Sequence, residues 1–271
     1  SDENPMFAVR KLSAKQTTLL RNSSLSNEKT FISYMNEYVA MTGEQMFLNA
    51  YCNYPLLLNQ QVNLYKCFLP LSWFLSNPTS VQAFVHPEGV YDDPNGGILR
   101  KTLYKKLVKH YQFQNEAKLF DIGNRNKYSL NVYSNKESDS FDTIANIIYP
   151  DTIDDCFDNE NGDVPGIKDD NDNWSRRGHK DRIIHITENE LRVFAKLFDS
   201  SNKWEEGRLP SIHCESFVKI LSKFSDVNNS ILGNNSSSFA TVCWDETGAQ
   251  ENNIIKREVG FPNSRYNLIL S

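Results

Sequence analysis

The sequence predicts an α/β fold followed by a mixed α+β region, on three observations. Residues 81–134 read as strand, helix, strand, strand, the order of one half of an open α/β sheet. From Asp139 onward the pattern becomes separate helices divided by long polar stretches, with a strand pair near the end. Finally, 271 residues that are 39% hydrophobic, with 16 Phe and 12 Tyr, can fill one large core or two small ones.

Phe31, Met35, Tyr38 and Val39 recur at helical spacing, which predicts a helix over residues 30–51, interrupted near Gly43. Residues 59–76 form a second apolar segment that Pro70 should bend. Residues 81–85 are a short buried strand, and 86–97, rich in Pro, Gly and Asp, are a loop. Leu99, Leu103, Leu107 and Val108 make the apolar face of a helix that carries Arg100, Lys101, Lys105, Lys106 and Lys109 elsewhere on its surface. Strands are expected at 111–120 and 127–134. A short helix is expected at 141–149.

The polar stretch 151–181 marks a boundary or a functional loop. Thr187 and Glu190 form a capping box at the head of a helix over 187–199, and 214–224 are a further helix. A Gly, Asn and Ser loop at 233–238 precedes two strands, 239–244 and 254–259.

The net charge of −5 argues against a surface built wholly for nucleic acid, though residues 99–118 are basic and 139–172 acidic. Five Cys, odd in number and without a CxxC, argue against a disulfide framework or a zinc ribbon; they predict reduced thiols and a cytoplasmic location. No apolar run approaches the ~20 residues of a membrane span, and no membrane partner is expected. Asp169-Asp170-Asn171-Asp172-Asn173 suggests a calcium loop, but Trp174 and Lys180 stand where that loop needs Gly and Glu, so no metal is expected. Both ends of the chain are expected to be cuts in a longer polypeptide.

Several strings in residues 63–134 occur together in order. They are Asn63-Leu64-Tyr65-Lys66-Cys67-Phe68, the 81–87 strand ending in Pro87, Arg100 near a helix start, Phe113-Gln114-Asn115-Glu116-Ala117-Lys118-Leu119-Phe120, and Tyr128-Ser129-Leu130-Asn131-Val132. In this order they resemble the later part of amino-directed, gamma-type DNA adenine methyltransferases, of the large restriction-modification or phage-defence kind. The likeness beyond residue 180 is confined to the Thr187 helix start.

The resemblance implies a partial Rossmann-like methyltransferase sheet over 1–138 and the start of a target-recognition or accessory region over 139–271. It implies double-stranded DNA and the remainder of the parent polypeptide as partners. It implies S-adenosylmethionine as the cofactor of the full-length parent, with none expected for this piece, which lacks the Gly-rich cofactor loop. Asn4-Pro5-Met6-Phe7 is the nearest string to the catalytic Asn/Asp-Pro-Pro-aromatic and lacks its second Pro, so catalytic residues remain unassigned.

By resemblance Asn63 and Tyr65 would touch cofactor, and Tyr128, Asp92 and Asn95 would wall a pocket for a flipped base. Tyr128 reads equally as a packed strand residue. Clustered cations suggest DNA contacts from Arg100 and Lys101 and from the loop carrying Arg176, Arg177, Lys180 and Arg182, though solvated faces and internal ion pairs explain them as well. The expected function is part of a DNA adenine methyltransferase, inactive in isolation. The alternatives are a non-catalytic DNA-binding or subunit-assembly module and, third, a nuclease domain fused to such an enzyme.

Overall fold

The computed structural model describes residues 5–8, 12–61, 63–199, 203–226 and Ala249. The chain divides into two units, Ser1–Asp226 and Val227–Ser271, and the architecture below is that of the first. The loop expected at 233–238 and the strands expected at 239–244 and 254–259 lie outside the described residues, as does Asn4 of the Asn-Pro string.

The fold is mixed α/β. Two helices, α1 (Ala14–Leu25) and α2 (Glu28–Asn49), lead into α3 (Leu64–Leu75). Strand β1 (Val81–Pro87) is followed by a short α4 (Gly89–Asp92), α5 (Gly97–Lys106) and β2 (Leu107–Gln114). Next come β3 (Lys127–Ser134), β4 (Phe141–Ile147), α6 (Asp151–Asp158), β5 (Ile184–Ile186), α7 (Glu188–Phe194) and α8 (Glu215–Ser225).

The five strands form one sheet in the order β1-β3-β2-β4-β5. Both β1 and β2 run antiparallel to β3 and are therefore parallel to each other, with α5 in the crossover that a parallel connection requires. Strand β4 is parallel to β2, and β5 is antiparallel to β4.

Side chains alternate between the two faces. One face carries Phe84 and Tyr133 against a core with Trp73, Leu99, Leu103, Leu191 and Phe194. The other places Phe113, Tyr128, Ile144 and Ile147 against Cys156 of α6.

Several expectations need correction. Residues 141–149 were expected to be a helix and instead supply β4. This strand lies between β2 and β5 and is buried on both faces, so its apolar residues run on without a period of two. The second strand starts earlier and stops earlier than 111–120. Asn115, fully buried, accepts from Phe120 N–H at 3.1 Å and donates to the Phe120 and Ile122 carbonyls, folding the chain back on itself. Helix α2 passes through Gly43 without a break, since a lone Gly costs a helix only ~1 kcal/mol. The expected boundary at 138/139 falls between β3 and β4, two strands of one sheet.

Two other expectations hold. Strand β3 spans the residues expected of it, and the capping box at Thr187 forms, with Thr187 N–H donating to Glu190 Oε2 at 2.8 Å. The polar stretch 151–181 begins as α6 and continues as a loop tied to that helix. Thr152 Oγ1 donates to the Arg176 carbonyl at 3.1 Å, and Lys180 N–H to the Asn159 carbonyl at 2.8 Å.

Candidate functional site

At the carboxyl end of β1 the chain leaves the sheet through Glu88 into α4, and the N-terminus of α3 lies beside it. Between them is a cleft of about 280 Å³ lined by Asn63, Tyr65, Lys66, Gly89, Asp92 and Asp93. Asn63 is the N-cap of α3, yet its side chain makes no capping bond. The Tyr65 ring stacks on His86 at 5.7 Å between centroids. Gly89 permits this placement, because a Cβ there would stand 2.8 Å from the Tyr65 hydroxyl. Lys66 is buried and ties Asp93 Oδ2 at 2.6 Å and Gln60 Oε1 at 3.2 Å.

A buried polar network lies next to the cleft, on the α3 side of the sheet. Glu88 is buried, and its carboxylate accepts from His110 Nε2 at 3.2 Å and from Gln112 Nε2 at 2.7 Å. Burial by itself would raise its pKa. The charge of His110 and the hydrogen bonds from His110, Gln112 and Ser129 overcome that and lower it to about 2. His110 Nδ1 is held by Thr143 Oγ1 at 2.8 Å.

A second branch surrounds His86. Its Nδ1–H donates to the Pro87 carbonyl at 2.9 Å, which leaves Nε2 to accept the Tyr133 hydroxyl at 2.8 Å. Tyr91 donates to Asn131 Oδ1 at 2.6 Å, and Asn131 Nδ2 to Ser129 Oγ at 2.9 Å. Burial holds the His86 imidazole below its ordinary pKa, in keeping with this neutral tautomer.

Electrostatically the cleft is acidic. Burial, and then the charges of Asp92, Asp93 and Glu88, raise the Tyr65 pKa, so the side chain stays a phenol. Burial and the neighbouring Glu88 also raise Asp92. For Asp93 burial acts upward, but the hydrogen bond from Lys66 and further contacts bring it below its usual range. The combination of a phenol ring, a free amide and carboxylate acceptors suits an aromatic or cationic group that carries N–H donors. It does not suit a phosphate.

The structure brings Asn63, Tyr65 and Asp92 together in this cleft. Asn95 lies instead on a separate cavity of about 490 Å³, with Arg100, Asp199 and Arg208. Tyr128 is buried on the other face of the sheet, with its ring stacked on Phe113 at 5.4 Å.

The cations expected to meet DNA are corrected in part. Arg100 is buried at 2% exposure, and it donates to the carbonyls of Asp93 at 2.6 Å and Glu206 at 2.9 Å. Arg182, also 2% exposed, donates to the Ala145 and Arg177 carbonyls. Both are internal struts, because a guanidinium that satisfies several backbone carbonyls cannot also reach a phosphate. Lys101, Arg176 and Lys180 are exposed but pair with Glu205, Asp151 and Glu160. Arg177 is exposed and has no acidic partner among the described residues.

Sequence reasoning missed Glu88, His110, Gln112 and Asn131. A signal was present, since His86, His110, Gln112, Ser129 and Asn131 place polar groups at alternate positions on three strands. Among the described residues, no group of three or more His, Cys, Asp or Glu is arranged to hold a metal ion. Compared with known proteins, the chain matches no protein-family model and no curated protein.

Proposed function

We propose that this chain is part of an S-adenosylmethionine-dependent DNA adenine methyltransferase of a restriction-modification or phage-defence system, inactive by itself. One observation carries the reading. Asn63, Tyr65 and Asp92, taken from separate parts of the sequence on resemblance alone, meet in one cleft at the carboxyl end of β1. In open α/β sheets, ligands bind outside the carboxyl ends of strands. The parallel β1-α5-β2 crossover and the intervening β3 are consistent with the later part of such a sheet.

The cleft chemistry agrees with an amino-directed enzyme. A base taken out of the duplex needs an aromatic wall and acceptors for its exocyclic N–H groups. Asp92 offers an acceptor, and Tyr65, which the resemblance gives to the cofactor, is the aromatic ring that lines the same cleft, since Tyr128 lies on the other face of the sheet. The residues present fit only one wall of a cofactor site, because no Gly-rich turn accompanies them. S-adenosylmethionine supplies the methyl group in the full-length parent, and the remainder of that polypeptide supplies the cofactor loop. Double-stranded DNA is the substrate. A cytoplasmic location accords with Cys52, Cys67, Cys156 and Cys214, all free thiols.

A second reading, a subunit-assembly module without chemistry, is favoured by the apolar side chains that α3 and β1 leave exposed. Separate calorimetric titrations of residues 1–271 with S-adenosylmethionine and with duplex DNA, beside a labelled methyl-transfer assay, test both. The methyltransferase reading expects no transfer by residues 1–271 alone and transfer once they are joined to the rest of the parent. Methyl transfer by residues 1–271 alone overturns the claim of inactivity. Failure of the joined protein to transfer methyl leaves the assembly module.

A further inference from the structure

We infer that Lys66 is a specificity-determining residue of the cleft: its ammonium donates to a ring nitrogen of an adenine whose amino group donates to Asp92. The adenine belongs to the proposed DNA substrate or to the cofactor, so the inference rests on the function proposed above.

Lys66 stands in the first turn of α3 and is only 5% exposed. An ammonium carries three N–H donors and no acceptor. Two of them are engaged, by Asp93 Oδ2 at 2.6 Å and by Gln60 Oε1 at 3.2 Å. The third meets no acceptor among the described residues, although Lys66 lines the cleft beside Tyr65 and Asp92. A buried donor without an acceptor is destabilising, most of all on a charged group. An acceptor brought into the cleft removes that penalty.

The two carboxylates of the cleft differ in the same respect. Asp93 is engaged on both oxygens, since Oδ2 holds Lys66 and Oδ1 accepts the Asn95 N–H at 2.9 Å. Asp92 is exposed, and its carboxylate bonds no other residue among the described ones. The cleft therefore offers one free cationic donor and one free anionic acceptor, next to an aromatic ring.

That pair selects the ligand. A cation without an acceptor would satisfy Asp92 and leave the Lys66 N–H unmet. A phosphate would meet Lys66 and be repelled by Asp92. Adenine presents an amino N–H next to a ring-nitrogen acceptor, N1 on one edge and N7 on the other, on a ring that an aromatic side chain can face. Both contacts are then hydrogen bonds to charged groups, which are the stronger kind. Asp93 and Gln60 hold Lys66 in place beforehand, so little side-chain freedom is lost on binding.

NMR titrations of residues 1–271 with adenosine, 1-deazaadenosine and 7-deazaadenosine test the contact. The native chain should bind adenosine and lose ~10-fold or more with one of the two analogues. Lys66→Met should bind adenosine and that analogue alike. Asp93→Asn, which keeps the ammonium and an acceptor for it, should retain the native preference. No adenosine binding below ~10 mM, or equal affinity of the native chain for all three, overturns the inference without recourse to a variant. So does a Lys66→Met chain that retains the preference. Loss of the preference in Asp93→Asn overturns it too, because Lys66 is then only a strut between α3 and the chain after α4.

Titrations with S-adenosylmethionine and with a duplex whose adenine faces an abasic site, and so leaves the stack easily, identify the source of the ring. The one that loses ~10-fold in Lys66→Met supplies the adenine, and a loss in neither overturns the contact. Adenosine read through Lys66 by a chain that, joined to the rest of the parent, methylates no DNA upholds the contact and removes the methyltransferase reading. Full methyl transfer by the joined Lys66→Met protein does the reverse.

Discussion

Glu88 and His110 meet at 3.2 Å inside the protein although β3 lies between the strands that lead to them. The carboxylate leaves the end of β1 and reaches across Ser129, which pairs with both His86 and Gln112, to the ring on β2. The contact ties the two parallel strands together over the inserted one, and it does so beside the candidate cleft.

Breaking this pair should be costly. Glu88→Ala leaves the His110 and Gln112 donors buried without their acceptor, and a loss of ~3–5 kcal/mol is expected. The pH dependence follows from the lowered pKa. A glutamate held at about 2 when folded, below its ordinary 4.5, contributes stability that is fully present above 4.5 and is lost as pH falls toward 2. Urea denaturation from pH 7 to pH 2 should show that loss in the native chain and a shallower slope in Glu88→Gln.

Two glycines should respond in opposite directions. At Gly178 a Cβ would lie 2.6 Å from the Asp155 carbonyl carbon and 2.7 Å from the Thr152 oxygen, both backbone atoms of α6. Gly178→Ala should therefore cost ~1–3 kcal/mol and loosen the loop that precedes it. At Gly43 nothing lies within 4 Å, and Gly43→Ala should stabilise α2 by ~0.5–1 kcal/mol. Thermal melts and limited proteolysis separate the two.

Arg182 and Arg177 should divide stability from DNA affinity. Arg182→Met strands the carbonyls of Ala145 and Arg177 and should lower stability by ~1–3 kcal/mol, leaving the salt dependence of DNA binding unchanged in the folded fraction. If residues 1–271 bind duplex DNA, Arg177→Ala should leave stability intact and reduce the salt slope by about 1. Chemical denaturation, with fluorescence anisotropy at several salt concentrations, reads both.

Tyr128 and Gly89 should separate packing from the cleft. The Tyr128 hydroxyl is buried with no hydrogen-bond partner among the described residues, so Tyr128→Phe should match or exceed native stability by up to ~1 kcal/mol. Gly89→Ala should push the Tyr65 ring from its stack on His86 while changing stability little. Ligand affinity of the joined protein should then fall with Gly89→Ala and stay the same with Tyr128→Phe.

The sequence by itself determined the local elements. Period and capping chemistry made β3 and the α7 start legible, because Tyr128, Leu130 and Val132 alternate and Thr187 precedes Glu190 by three. It also marked Asn63, Tyr65 and Asp92 as candidates. Only the tertiary structure decided that Phe141–Ile147 is a strand, since burial on both faces erases the period that distinguishes strand from helix. Tertiary structure likewise decided that Arg100 and Arg182 point inward, because a basic side chain reads the same in sequence whether it meets water or a buried carbonyl. The Glu88–His110 pair needed the third dimension most. Its partners lie far apart along the chain, and β3 must enter between β1 and β2 before one can reach the other.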